Sequence, residues 1–234
     1  MEKGRMLYEG KAKQIFETDN PDEVLVYYKD DATAFDGKKK GVIHSKGILN
    51  NAIAAFFFEV LEKEGIPTHF IKVVDDRSML VRRLTIIPIE VIMRNIAAGS
   101  LAKRIGWEEG RDLPTPVVEF CYKDDALGDP LINRYHALVL NAATEAEMDI
   151  LERTGLQINR ILSDYLKTRD IILVDFKLEF GRYQGQVILG DEISPDTCRF
   201  WDFNTREKLD KDRFRRDLGN VEEAYQEIYK RLRG

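Results

Sequence analysis

The sequence predicts an α+β fold in two lobes that share one cleft, a β-rich N-terminal lobe over residues 1–86 and a mixed α/β C-terminal lobe over residues 87–234. Three observations carry this. Strand-forming runs crowd the first part of the chain, long helical periodicities enter later, and no Gly-, Pro- or Ser-rich linker parts the two regions. Strands placed early with helices mixed in later argue against a doubly wound sheet. The boundary falls near Leu84 to Pro88.

The elements follow in order. Strands are expected over Arg5 to Glu9 and Lys11 to Glu17, flanking Gly10, and over Val24 to Lys29 after the turn at Thr18 to Asp22. The apolar period of Ile48, Ala52, Ala55, Phe56 and Val60 predicts a helix from about Gly47 to Glu64, stopped by Gly65-Ile66-Pro67. Strands are expected at His69 to Val74, Met79 to Leu84 and Ile89 to Arg94, then a short helix from Ser100 to Ile105 closed by Gly106. Thr144 and Glu147 form a capping box before a long helix carrying Met148, Leu151, Ile158, Leu162 and Leu166. Asn220, with Glu223 three residues on, is expected to cap a last helix whose stripe of Val221, Ala224, Tyr225, Ile228 and Leu232 is packing.

Composition narrows the function. A chain of 234 residues with 44% hydrophobic and 33% charged residues is a soluble globular protein. No apolar run is long enough to span a membrane and no signal-peptide core follows Met1, so the expected compartment is the cytoplasm. A net charge of −5 argues against broad nucleic-acid affinity but leaves small phosphate ligands open. Cys121 and Cys198 lack metal-ligand spacing with His44, His69 or His136 and are expected to be reduced.

The richest chemical segment is Asp175-Phe176-Lys177-Leu178-Glu179-Phe180-Gly181. Strand alternation puts Asp175, Lys177 and Glu179 on one face and Val174, Phe176, Leu178 and Phe180 on the other. Gly181 to Gly185 is expected to turn the chain into a returning strand from Gln186 to Ile193, which brings Asp191 to the same charged face. Three close carboxylates need a lysine, a metal or a raised pKa to persist. Lys177 is one partner. Hard oxygen donors suit magnesium as another. A hairpin with a solvated charged face fits the same spacing.

Other segments add anion-binding chemistry. Gly10-Lys11-Ala12-Lys13 lets backbone approach a ligand and offers charge to phosphates, although a tight turn with solvated lysines has the same form, and no Walker loop is present. The loop from Asp36 to Lys40 is either a charged turn or a ligand cover. In Arg94 to Ser100, small residues permit close approach, Arg94 and Ser100 supply anion contacts, and Ser100 is a possible cap for the helix behind it. Lys123 to Pro130 is a charged loop containing Asp129, and Arg199 lies just past the hairpin.

Together these segments resemble the SAICAR synthetase family from end to end. Ile86 to Ser100 and Leu173 to Gly181 fit two family signatures. Tyr8 to Lys13, Leu189 to Asp196 and Asp210 to Arg215 match further blocks in order. The resemblance implies an ATP- and magnesium-dependent ligase joining L-aspartate to carboxyaminoimidazole ribonucleotide (CAIR) through an acyl phosphate, working as a homodimer. It implies that Gly10, Lys11, Ala12 and Lys13 cover the nucleotide phosphates, with Lys123 near the nucleotide and Glu179 and Asp191 as magnesium ligands. Lys177 and Asp175 act at the reacting groups and Asp129 on the aspartate amine, while Asp36, Arg94, Ser100 and Arg199 hold the ribonucleotide. The loop Asp31 to Asp36 departs from the family's Ser-Ala-Gly-Asp-Gly form. A small-molecule kinase would use the same nucleotide parts but leave phosphate on its product, and a nucleotide sensor would have little use for Lys177.

Overall fold

The computed structural model describes residues 3–34 and 39–234. Its strands in order are Met6–Glu9 (β1), Lys13–Glu17 (β2), Glu23–Tyr28 (β3), Asp31–Ala34 (β4) and Lys39–Val42 (β5). Helix Lys46–Lys63 (α1) precedes Phe70–Asp75 (β6), Ser78–Arg82 (β7) and Thr85–Ile96 (β8). Gly99–Ile105 (α2), Asp112–Tyr122 (β9), Leu131–Ile132 (β10), Arg134–Val139 (α3) and Glu145–Lys167 (α4) follow. The chain closes with Ile171–Tyr183 (β11), Gln186–Gly190 (β12), Cys198–Asp202 (β13), Asp212–Arg215 (α5) and Val221–Arg233 (α6).

One antiparallel sheet has the order β1-β2-β3-β7-β6, and a second has β10-β9-β8-β11-β12, with β13 also on β11. A parallel bridge from Thr68 to Leu189 joins the segment before β6 to β12. Helix α1 forms because Ile53, Ala54, Phe57, Phe58 and Leu61 recur at helical spacing and are buried. It ends in a paired backbone turn: Gly65, at φ 81, donates to Glu62 and Ile66 donates to Leu61. The capping box of Thr144 and Glu147 opens α4 as expected. Gly155 lets that helix seat on β8, since a Cβ there would stand 3.1 Å from Met93 Sδ.

Several expectations are corrected. Strand β2 starts at Lys13, leaving Gly10 to Ala12 as the turn, and β8 is longer than Ile89 to Arg94. Strand β9 was not foreseen, its two prolines masking the signal, and neither were α3, β13 and α5. The hairpin turn is only Gln184-Gly185, both at positive φ, and β12 stops at Gly190. Asn220 makes no side-chain cap, and Ser100 does not cap α2, whose N-cap is Ala98. A bulge between Leu173 and Asp175 breaks the alternation of β11. Val174 therefore packs with Ile96, Ala98 and Trp201 and not in the cluster that holds Phe176, Leu178 and Phe180.

Candidate active site

A cavity of about 1390 Å³ is lined by strands of both large sheets and by the loops around Lys123 to Asp129 and Asp191 to Thr197. Gly10, Lys11, Ala12, Lys13, Lys123, Asp129, Lys177, Glu179 and Asp191 all face it. Its apolar wall includes Val24, Val26, Val81 and Leu84.

The charged face of β11 is buried, not a solvated hairpin surface: Asp175 and Glu179 are each 4% exposed. Lys177 Nζ donates to Glu90 Oε1 at 2.8 Å and Glu179 Oε1 at 2.7 Å, and lies 3.7 Å from Asp191 Oδ2. Lys123 Nζ reaches both Glu179 oxygens at 2.6 Å. Lys13 comes from the opposite sheet to bond Asp191 and stands 3.2 Å from Glu192 Oε1. Lys11 pairs with Asp125 at 2.8 Å. Register places Glu179 opposite Gly190, so Asp191 stands one residue beyond β12, where a backbone φ of 55° turns it inward.

These ions hold one another charged. Burial works against the ammonium of Lys177 but is outweighed by Glu179, Asp191 and Glu90, so its pKa rises well above the ordinary lysine value. Lys13 is raised in the same way by Asp191 and Glu192. Burial opposes ionisation of Asp191, yet Lys13 and Lys177 hold its pKa well below the usual carboxylate range.

Asp175 belongs to a second cluster, outside the lining of that cavity. Arg94 Nη1 donates to Asp175 Oδ2 at 2.9 Å, Arg94 Nε to Glu119 at 2.6 Å and Arg94 Nη2 to Ser100 Oγ at 3.1 Å. Arg199, paired with Asp175 across β13 and β11, adds bonds to both Asp175 oxygens and to Asp212. Gly99 permits this approach, because a Cβ there would meet Arg199 Nη2 at 2.6 Å. The expected grouping of Asp175, Glu179 and Asp191 on one surface thus divides: Glu179 and Asp191 share the lysines, and Asp175 takes the arginines. Asp129 accepts from the backbone of Asp124 at 2.9 Å. Asp36 lies outside the described residues.

Sequence reasoning missed several residues of the cavity. His69 lines it, as do Glu90, Glu192, Asp196 and Lys211. Lys46, fully buried at the start of α1, bonds Asp196 at 2.7 Å, and Tyr225 Oη donates to the other oxygen at 2.6 Å. A lone lysine in Ser45-Lys46-Gly47 gives no sequence signal. The block Leu189 to Asp196, with its three acids, did. Both cysteines are free and buried.

Glu179 and Asp191 present only carboxylate oxygens, the donor type that magnesium takes. Among the described residues no group of three or more His, Cys, Asp or Glu side chains is arranged to hold a metal alone. Two carboxylates fit an ion whose remaining ligands come from phosphate oxygens and water.

Fold and site define an α+β protein with a large cavity lined by mutually paired lysines and carboxylates. The chain belongs to the SAICAR synthetase family, whose model matches residues 6–232. It is 60% identical over 232 residues to the phosphoribosylaminoimidazole-succinocarboxamide synthase of Caldanaerobacter subterraneus subsp. tengcongensis, covering 99% of each chain. The crystal structure of the synthase of that name from Ehrlichia chaffeensis superposes with a TM-score of 0.96 at 48% identity over 98% of each chain. A SAICAR synthetase in complex with ADP superposes with a TM-score of 0.95 at 51% identity over 97% of each chain.

Proposed function

We infer that this chain catalyses the ATP-dependent ligation of L-aspartate to CAIR, yielding SAICAR, ADP and phosphate in purine biosynthesis. Family membership over nearly the whole chain supports the reaction, and the ADP held by a relative 51% identical supports the nucleotide. Within the molecule, the observation that carries it is Lys177 held among Glu90, Glu179 and Asp191 beside the lysine-bearing turn of the other sheet.

A carboxylate resists attack by an amine because its oxygen is a poor leaving group. Transfer of the γ-phosphoryl group to the CAIR carboxylate gives an acyl phosphate and ADP. The aspartate amine then attacks the acyl carbon, phosphate departs with the C–O electron pair, and the amine gives up a proton. Gly10, Lys11, Ala12 and Lys13 cover the phosphates, Lys123 sits near the nucleotide, and Lys177 aligns the transferring group with the carboxylate. Glu179 and Asp191 hold magnesium, which neutralises phosphate charge when bound. Asp175 orients Arg94 and Arg199, which with Ser100 grip the ribonucleotide phosphate. Asp129 receives the amine proton, and Asp36 completes the substrate contacts. In this reading residues 1–86 and 87–234 are two lobes, Gly10 lies in a nucleotide-covering hairpin, the cavity is the cleft between them, and the enzyme is a cytoplasmic homodimer.

The test is phosphate release from ATP with magnesium and CAIR, with and without L-aspartate, while the imidazole product is followed. Aspartate-dependent phosphate release matched by SAICAR supports the ligase. Phosphorylated product that persists without aspartate would favour a kinase.

A further inference from the structure

Lys211 lines the same cavity, with its side chain 11% exposed. Among the described residues its ammonium forms no hydrogen bond, and its single ion pair, to Asp196 Oδ2, is long at 3.8 Å. Others engage Asp196 more closely: Oδ2 accepts from Lys46 at 2.7 Å and Oδ1 from Tyr225 at 2.6 Å. The chain around Lys211 is fixed. Its amide donates to the Pro195 carbonyl at 3.1 Å, and the next residue, Asp212, accepts from Arg199 at 2.9 Å and Arg215 at 2.7 Å.

An ammonium that gives up most of its water and gains no acceptor in exchange is costly. Burial accordingly lowers the Lys211 pKa, with Asp196 opposing the shift. The group is not sealed away, because Nζ keeps exposed surface on the cavity and a ligand can reach it. A donor left unsatisfied in this way suits an anion that arrives with a substrate.

Position selects the anion. The Thr197 carbonyl, beside Asp196, accepts from the backbone of Lys177 at 3.0 Å, while Asp212 on the other side of Lys211 holds Arg199. Lys211 therefore stands between the lysine of the transferring group and an arginine of the ribonucleotide grip. On the ligase reading the aspartate amine meets the acyl carbon in this stretch, and aspartate brings two carboxylates that stay charged throughout. The phosphates and the CAIR carboxylate already have their cations. Of the other cations on the wall, Lys29 pairs with Glu9 and Asp31, Arg82 donates to two backbone carbonyls, and Lys40 and Arg83 are exposed. We propose that the Lys211 ammonium binds a carboxylate of L-aspartate and so positions the amine for attack. This rests on the ligase reading.

The experiment is steady-state kinetics of the full chain with magnesium, varying L-aspartate, CAIR and ATP in turn and following SAICAR, alongside thermal melting. Lys211→Met is expected to raise the aspartate KM roughly tenfold or more, the scale of one charge-assisted hydrogen bond. Its CAIR and ATP KM should stay within about twofold, and it should melt no lower than the unsubstituted chain, since it removes a donor that has no acceptor. Lys211→Arg keeps the charge and should recover part of the aspartate affinity. A structural lysine gives the reverse, a lowered melting temperature or an unfolded Lys211→Met, with the aspartate KM unchanged in Lys211→Arg. That result overturns the proposal, as does a rise confined to the CAIR or ATP KM, and either leaves the ligase reading standing. Failure of the unsubstituted chain to form SAICAR removes the ligase reading and this one with it.

Discussion

Arg199 donates from Nη1 to both carboxylate oxygens of Asp175, at 3.0 and 2.8 Å. Asp175 Oδ2 also accepts from Arg94 at 2.9 Å, so one buried carboxylate fixes two guanidinium groups. Removing one partner of a buried ionic cluster costs about 3–5 kcal/mol because it strands charge. Asp175→Asn is expected to lower the melting temperature and raise the CAIR KM at least roughly tenfold, a loss of about 1.4 kcal/mol. ADP affinity should be unchanged. An unaltered CAIR KM would separate these arginines from the ribonucleotide.

Gly99 tests the same cluster through the backbone. It adopts φ +52°, and an added Cβ would press on Arg199 Nη2 at 2.6 Å. Gly99→Ala should raise the CAIR KM with little change in ADP affinity. If instead ADP binding weakens and the CAIR KM holds, Arg199 serves the nucleotide.

Much of this arrangement was legible in the chain and some was not, for physical reasons. Period-2 alternation put Lys177 and Glu179 on one face, where they bond each other, because β11 is regular there. It failed at Val174 because a bulge leaves no trace in an apolar pattern. The capping box at Thr144 depends on local sequence alone and was readable. Asn220 carries a cap residue, but its φ of 49° is not the extended backbone of a side-chain cap. Lys46 gains its place only through the partner that tertiary packing brings, Asp196, and His69 reaches the cavity wall only because its backbone pairs with Leu189.

Glu179 now satisfies Lys123 and Lys177 together. If it is also a magnesium ligand, Glu179→Gln should bind ADP similarly with and without magnesium, whereas the unsubstituted chain should bind ADP more tightly with the ion. Calorimetry decides this, and a preserved magnesium enhancement would assign the ion elsewhere.

Asp210 gives a pH signature. Its carboxyl accepts from the backbone of Phe200 and of Asp212, and burial, then the Asp212 charge, raises its pKa from 3.8 to about 7. Between those values the folded chain binds more protons than the unfolded chain, so this group's contribution to stability falls as pH rises and is fully lost above about 7. Asp210→Asn does not titrate. The stability advantage of the unsubstituted chain over the variant should therefore shrink between pH 5 and 8 in denaturant unfolding. A constant gap would show that Asp210 is ionised throughout.

Lys177 is the sharpest test of the chemistry. Its ammonium lies 2.8 Å from Glu90 and 2.7 Å from Glu179, and these carboxylates, with Asp191, keep it charged against the pull of burial. Its side chain stands on the face of β11 opposite Phe176, Leu178 and Phe180, so its loss should leave the apolar core in place. Lys177→Ala is expected to fold, to bind ADP, and to lose turnover by roughly a thousandfold, the scale of deleting one preorganised electrostatic contact to a transition state. Lys177→Arg should recover little, since a planar guanidinium cannot occupy a site shaped for a compact ammonium with three carboxylate neighbours. Aspartate-dependent phosphate release measured on all three chains checks this. Turnover in Lys177→Ala within tenfold of the unsubstituted chain would place Lys177 among the structural ion pairs and move the reacting carboxylate away from β11.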